Sequence, residues 1–228
     1  MKKIAVIFGG SSSEKEVSMH TGLAVIEALK KDYDVVGISL GEDFKDLHTK
    51  LFDIDIVFNA LHGGFGENGK IQSYFEKYNI KYTGSTSRPS AIAMDKNQTK
   101  IIAKSIGIPV LDWKIYDDDF KKIKLDFDFP VIIKPNNGGS TIGLYFVKNI
   151  NEFNKFFNLA KKESSTLLVE KYFKGKEISV PIIDDQVLPS IEIKTTNLIY
   201  DYDSKYNKSD NKYIIPAKID ESIIRAIS

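Results

Sequence analysis

The chain has 228 residues, with 32 basic against 31 acidic side chains, a net charge of +1, and 42% hydrophobic and 11% aromatic residues. This balance excludes disorder as the main state and any uniform field strong enough to gather nucleic acid or an anionic membrane. With no cysteine, disulfides, thiolate catalysis and Cys-ligated zinc or iron-sulfur sites are excluded, and the three histidines, His20, His48 and His62, argue against an all-protein metal cage.

The opening MKKIAVIFGG has too short an apolar run for a signal peptide, and no stretch approaches the ~20 apolar residues of a membrane span, so the expected compartment is the cytoplasm. Ile4 to Phe8 predicts a strand buried on both faces, and the spacing of Val17, Thr21, Ala24, Val25, Ala28 and Leu29 predicts a helix over 16–30. Strands follow at 35–40 and 54–61, a helix at 70–77, and a short strand at 81–83. Strand alternating with helix predicts a parallel α/β sheet. A boundary is placed near Met94. Residues 95–105 read as a helix ended by Gly107 and Pro109. Strands then dominate at 131–134, 144–147, 166–169, 177–183, 187–194 and 213–215, with one helix at 151–162.

Five loops could carry chemistry. Gly9-Gly10-Ser-Ser-Ser-Glu14 lacks the glycine spacing of a dinucleotide fingerprint, and Glu14 would repel a phosphate. The carboxylate suits a ligand's ammonium group, or else caps the following helix. The run 64–71, GFGENGKI, misses the phosphate-loop pattern at Ile71, where a magnesium-binding hydroxyl is required. Lys134 to Gly143 is a glycine-rich segment between two strands. It reads either as a hairpin turn or as a flap whose amides, with Ser140, Thr141 and Lys134, could fold over a triphosphate. Residues 170–177, EKYFKGKE, join two strands, and 200–209 form a polar, tyrosine-rich loop; alone, each reads as a solvated surface segment.

Taken in order, GGSSSEKEVS (9–18), ALHGGFGENGKIQ (60–72), YTGS (82–85), MDKNQTK (94–100), VIIKPNNGGSTIG (131–143), LVEKYFKGKEISV (168–180), LPSIEIK (188–194) and YDYDSKYN (200–207) resemble the D-alanine-D-alanine ligase family of the ATP-grasp superfamily. The resemblance implies a Rossmann-like parallel-sheet domain over 1–94 that binds substrate. It further implies an ATP-grasp α+β domain whose central part covers 95–175, with the start of a C-terminal part at 176–228. It implies that Glu14 holds the ammonium of the first D-alanine and joins Ser140 and Tyr206 in a hydrogen-bonded trio. Lys96, Lys134, Gly139, Ser140 and Lys205 would meet ATP phosphates. Glu170 with the main chain of Lys171 and Phe173 would meet the adenine edge, Glu177 the ribose, and His62 would lie near the second substrate. The implied reaction passes through an acyl phosphate to a dipeptide used for peptidoglycan precursors, with ATP and magnesium as cofactors and a possible homodimer, and without nucleic acid or membrane.

The chain departs from the family at three places. Asn68 stands for the usual Asp, and Gly138-Gly139-Ser140-Thr141 stands for the commoner Glu-Gly-Ser-Ser. The magnesium ligands, an Asp, a Glu and an Asn, and a nearby arginine that Arg225 does not match, are expected in a C-terminal segment beyond Ser228, so no metal ligand is assigned within these residues. Two further functions fit the same motifs: a ligase taking D-serine or D-lactate second, against which Tyr206 argues in the lactate case, and a catalytically inactive protein that binds ATP or an amino acid.

Overall fold

The computed structural model describes residues 1–117, 125–195, 211–220 and 222–224. The chain divides into two compact units, one of 1–110 with 136–139 and one of 111–135 with 140–228.

The first unit is a parallel three-stranded sheet in the order β2 (Asp34–Leu40), β1 (Lys3–Gly9), β3 (Ile56–Asn59), with Ile4 opposite both Val35 and Ile56. Because successive strand residues point to opposite faces, Ala5 and Ile7 enter one core with Leu47, Leu51, Val57, Ile71 and Phe75, while Val6 and Phe8 enter another with Ala60. The continuous apolar run at 4–8 is therefore what a doubly covered central strand requires. α1 (Lys15–Leu29) covers the second face. Its Gly22 is fully buried, and a Cβ there would stand 2.5 Å from Phe8 Cβ, so glycine permits this close helix-to-strand approach.

Short helices complete the unit: α2 (Leu47–Lys50), α3 (Gly64–Glu67), α4 (Lys70–Lys77), α5 (Ser87–Met94) and α6 (Lys96–Ser105). The strand expected at 81–83 is a single bridge from Tyr82 to Val57. Ile71, the residue that breaks the phosphate-loop pattern, is fully buried in the core.

The second unit carries a four-stranded antiparallel sheet, β4 (Trp113–Tyr116), β7 (Leu167–Lys171), β5 (Val131–Pro135), β6 (Tyr145–Val147), taken across the sheet. α7 (Ile150–Ala160) lays Phe153, Phe157 and Ala160 against Val131, Ile133, Val147, Leu167 and Val169. Asn149 caps it by accepting from the N–H groups of Asn151 and Glu152, and Glu152 returns a bond to Lys148 N–H. A three-stranded sheet of β12 (Lys212–Ile214), β11 (Ile191–Lys194) and β8 (Glu177–Ser179) and a two-stranded ribbon of β9 (Ile182–Ile183) and β10 (Gln186–Val187) follow. The two long strands expected at 177–183 and 187–194 are each interrupted, at Pro181 and Pro189, residues that cannot donate to a ladder.

Glu76 of α4 accepts from Ser87 N–H (2.8 Å), Ser87 Oγ (2.6 Å) and Tyr82 OH (2.8 Å), which ties the start of α5 to α4. The hydrogen bonds from Ser87 hold its carboxyl below the usual glutamate range. A carboxyl lowered in the fold stabilises it above the unfolded value of ~4.3 and loses that contribution as pH falls through the folded value. Thermal melts of Glu76→Gln are expected to show a lower Tm than the parent at pH 7, with the gap closing below about pH 4. A gap that does not change with pH would contradict this role.

Candidate substrate and nucleotide sites

In the first unit two of the expected site residues, Glu14 and His62, sit on the loops that leave β1 and β3. Ser18 Oγ, fully buried in the first turns of α1, accepts from Gly9 N–H (2.8 Å) and donates to Ala60 O (2.7 Å), so one hydroxyl fixes both loops. Ser12 repeats the device above it: Oγ donates to His62 O (2.5 Å) and accepts from Glu14 N–H (3.2 Å).

Glu14 occupies the position before α1, but its side chain makes no capping bond. The carboxylate is instead 6% exposed, and a Cβ on Gly63 would stand 2.5 Å from its Oε2, one on Gly139 at 3.4 Å. Of the two readings of Glu14, the capping one is not met.

His62 is held on both sides, with Thr21 Oγ1 3.0 Å from Nε2 and Glu67 Oε1 3.9 Å from Nδ1. Burial, and then the charge of Glu14, push the Glu67 carboxyl above its ordinary value. Asn59 and Gln72 both donate to Gly66 O, at 3.0 and 2.8 Å, and so fix the α3 turn that carries Glu67. A cavity of about 830 Å³ opens beside these groups, lined by Thr21, His62, Glu67, Gln72, Lys96 and Gly139 among others. Lys96 Nζ donates to the carbonyls of Gly138 (2.7 Å) and Asn136 (3.3 Å). Thr21, Asn59, Glu67 and Gln72 were not singled out at the level of sequence. Glu67 and Gln72 lie within the 60–72 motif, but Thr21 was read as core and Asn59 as strand.

In the second unit Lys134 on β5 pairs with Glu170 on β7, bringing together two residues expected at the nucleotide. Glu170 is 8% exposed. Lys171 N–H is taken by Asp112 O (3.0 Å), so that residue has only its carbonyl to offer an adenine edge. Phe173 is 69% exposed. A second cavity, of about 700 Å³, is lined by residues 172–177 and 192–195 and includes Phe173 and Glu177. The segment between β5 and β6 holds Ser140 and Thr141 at φ +50° and +65°, strained for residues with a Cβ and for a β-branched one above all. Of the other expected site residues, Lys205 and Tyr206 lie outside the described residues, as does the whole loop 200–209. Among the described residues no group of three or more His, Asp or Glu side chains could hold a metal ion. Also among the described residues, no helix is long and apolar enough to cross a membrane.

Two family models match the chain, "D-ala D-ala ligase N-terminus" at residues 40–85 and "D-ala D-ala ligase C-terminus" at residues 102–228. A D-alanine–D-alanine ligase of Actinobacillus pleuropneumoniae is 40% identical over 225 residues, covering 96% of this chain and 74% of the relative. The crystal structure of a D-alanine–D-alanine ligase from Bacillus anthracis superposes with a TM-score of 0.85 at 36% identity, covering 100% of this chain and 75% of the other. A structure of the Bacillus anthracis enzyme complexed with ATP gives a TM-score of 0.83 at 33% identity, covering 100% and 74%.

Replacing Ser18 by alanine leaves Gly9 N–H and Ala60 O buried without partners, a cost of about 1–3 kcal/mol. Urea unfolding of Ser18→Ala is expected to show a loss of that size; a loss below ~0.5 kcal/mol would mean that the two loops are held by other contacts.

Proposed function

Because the chain belongs to the D-alanine–D-alanine ligase family, we propose that it joins two D-alanines at the expense of ATP, for peptidoglycan precursors, as a carboxylate-amine ligase. The observation that carries the reading is the buried Glu14, whose N–H is held by Ser12 Oγ and whose side chain makes no capping bond to its own helix.

In this reading Glu14 takes the ammonium of the first amino acid, and His62, steadied by Thr21 and Glu67, faces the second substrate from the cavity that it lines. The adenine edge is assigned to Glu170, the Lys171 carbonyl and the Phe173 main chain, and the ribose to Glu177. Lys96, Lys134, Gly139, Ser140 and Lys205 are assigned to the phosphates, and Tyr206 to the trio with Glu14 and Ser140. The γ-phosphoryl group passes to the first D-alanine carboxylate; the amine of the second then attacks the acyl phosphate and releases phosphate. The protein supplies position and charge compensation rather than a covalent partner. Magnesium is expected to accompany ATP, and no described residue is assigned to it. A cytoplasmic location follows from the same reading, since the precursors are made there.

The test is phosphate release from ATP and magnesium with D-alanine, with L-alanine, and without amino acid, coupled to mass spectrometry of the product. Release that requires D-alanine and yields the dipeptide is expected. Silence, or release indifferent to the stereochemistry, would overturn the reading for this chain. Glu14→Gln is expected to raise the KM for D-alanine by about tenfold or more while leaving that for ATP within about twofold, the loss of one charge-assisted bond.

A further inference from the structure

Two carboxyl groups from different loops converge on Gly63. Glu14 Oε2 stands 2.5 Å from the place of a Cβ on that glycine, and the Gly63 N–H favours the ionised form of the Glu67 carboxyl, which the α3 turn carries. Glu14 follows β1 and is buried. The Glu67 side chain is 42% exposed and lines the 830 Å³ cavity, as does Gly139, whose own Cβ place is 3.4 Å from Glu14 Oε2. Like charges held together are relieved in one of two ways, by a proton on one carboxyl or by a cation at the other. Burial, and after it the Glu14 charge, push the Glu67 carboxyl toward the first.

The other charged groups nearby leave this relation in place. His62 puts Nδ1 3.9 Å from Glu67 Oε1 and draws the carboxyl toward its ionised form, less strongly than Glu14 opposes it. Lys96, in the same cavity lining, gives its ammonium group to the carbonyls of Gly138 and Asn136. On α4 and α5, which pack on α3, Glu76 is taken by Ser87 and Tyr82, Lys77 lies over the Tyr78 ring, Arg88 lines a separate cavity, and Lys70 is exposed. Of all these groups Glu14 is the one assigned to a cationic ligand, so a cation bound there acts on Glu67 directly.

We propose that Glu67 loses its proton to water when an ammonium group settles on Glu14, leaving a carboxylate opposite His62, so that filling the first amino-acid position sets the charge of the second. This rests on the reading in which Glu14 takes the first ammonium and His62 faces the second substrate; what is added is an order, the second position turning more anionic once the first is filled. The Glu67 O–H bond breaks, its electron pair stays on the carboxylate, and the half-exposed side chain gives the proton a path to solvent. Linkage is reciprocal: a ligand whose binding releases a proton binds more tightly as pH rises through the titration of that group, so D-alanine affinity climbs with pH.

The experiment is calorimetric titration of the whole chain with D-alanine at about pH 5, 6 and 7, each in two buffers of different ionisation enthalpy, for the parent and for Glu67→Gln. The difference between buffers counts the protons released. Glutamine keeps the size of the side chain and cannot titrate, so any release it retains belongs to other groups. The expected result is a larger release by the parent at the acid end, and a D-alanine affinity that gains about threefold more in the parent than in the variant across the range. Equal release by the two proteins, with D-alanine bound, would overturn the proposal and leave the ligase reading standing; if the parent binds no D-alanine under any of these conditions, both fall. Should Glu67→Gln fail to fold, carbon NMR of the assigned Glu67 carboxyl in the parent carries the test: it is expected to move toward the ionised position when D-alanine is added at constant pH, and a resonance that stays in place would overturn the proposal.

Discussion

The hydroxyl of Ser18 accepts from the end of β1 and donates to the residue that follows β3, with no solvent to compete for either bond. The two strands are parallel neighbours, so their carboxyl ends lie side by side at one edge of the sheet, the edge where such sheets place ligands. Without a tie, two glycine-rich loops leaving that edge would sample many conformations. With it, the loop that carries Ser12 and Glu14 is fixed beside the loop that presents His62 and Glu67 to a cavity, and Asn59 and Gln72 extend the same fixing to the α3 turn.

The two cavities differ in their charged lining. The first is lined by Glu67, His62 and Lys96, and Glu14 stands close enough to help raise the Glu67 carboxyl. The second is lined by three lysines against two glutamates and favours an anionic group. A chain of nearly zero net charge achieves this by local placement, so its overall charge says nothing of either site.

Much of the architecture was legible because the periodicity is undiluted. The run at 4–8 is buried on both faces, and the helix at 70–77 occupies that span. Strands at 177–183 and 187–194 were read as continuous because alternation ignores the missing N–H of Pro181 and Pro189, which divides each of them. The helix α5 escaped notice because its start depends on Glu76, eleven residues away, rather than on a capping side chain of its own. Motif order singled out Glu14, His62, Lys134 and Glu170, whereas Thr21, whose partner His62 is distant in sequence, carried no local signal. The burial of Glu192 in β11 was hidden for the same reason: nothing in LPSIEIK distinguishes a buried carboxylate from a solvated one, and the difference is made by Lys176 and Lys218.

Gly63, which adopts a left-handed φ of +64°, leaves the volume that a side chain would occupy to the Glu14 carboxylate. The two residues are thereby mutually exclusive in space: the charge stands where a methyl group would be. Any L-residue at 63 would displace the carboxylate by steric exclusion as well as straining the turn. The cavity's electrostatics are thus vulnerable at a position that carries no charge of its own, and the substitution that neutralises the site need not touch an ionisable residue.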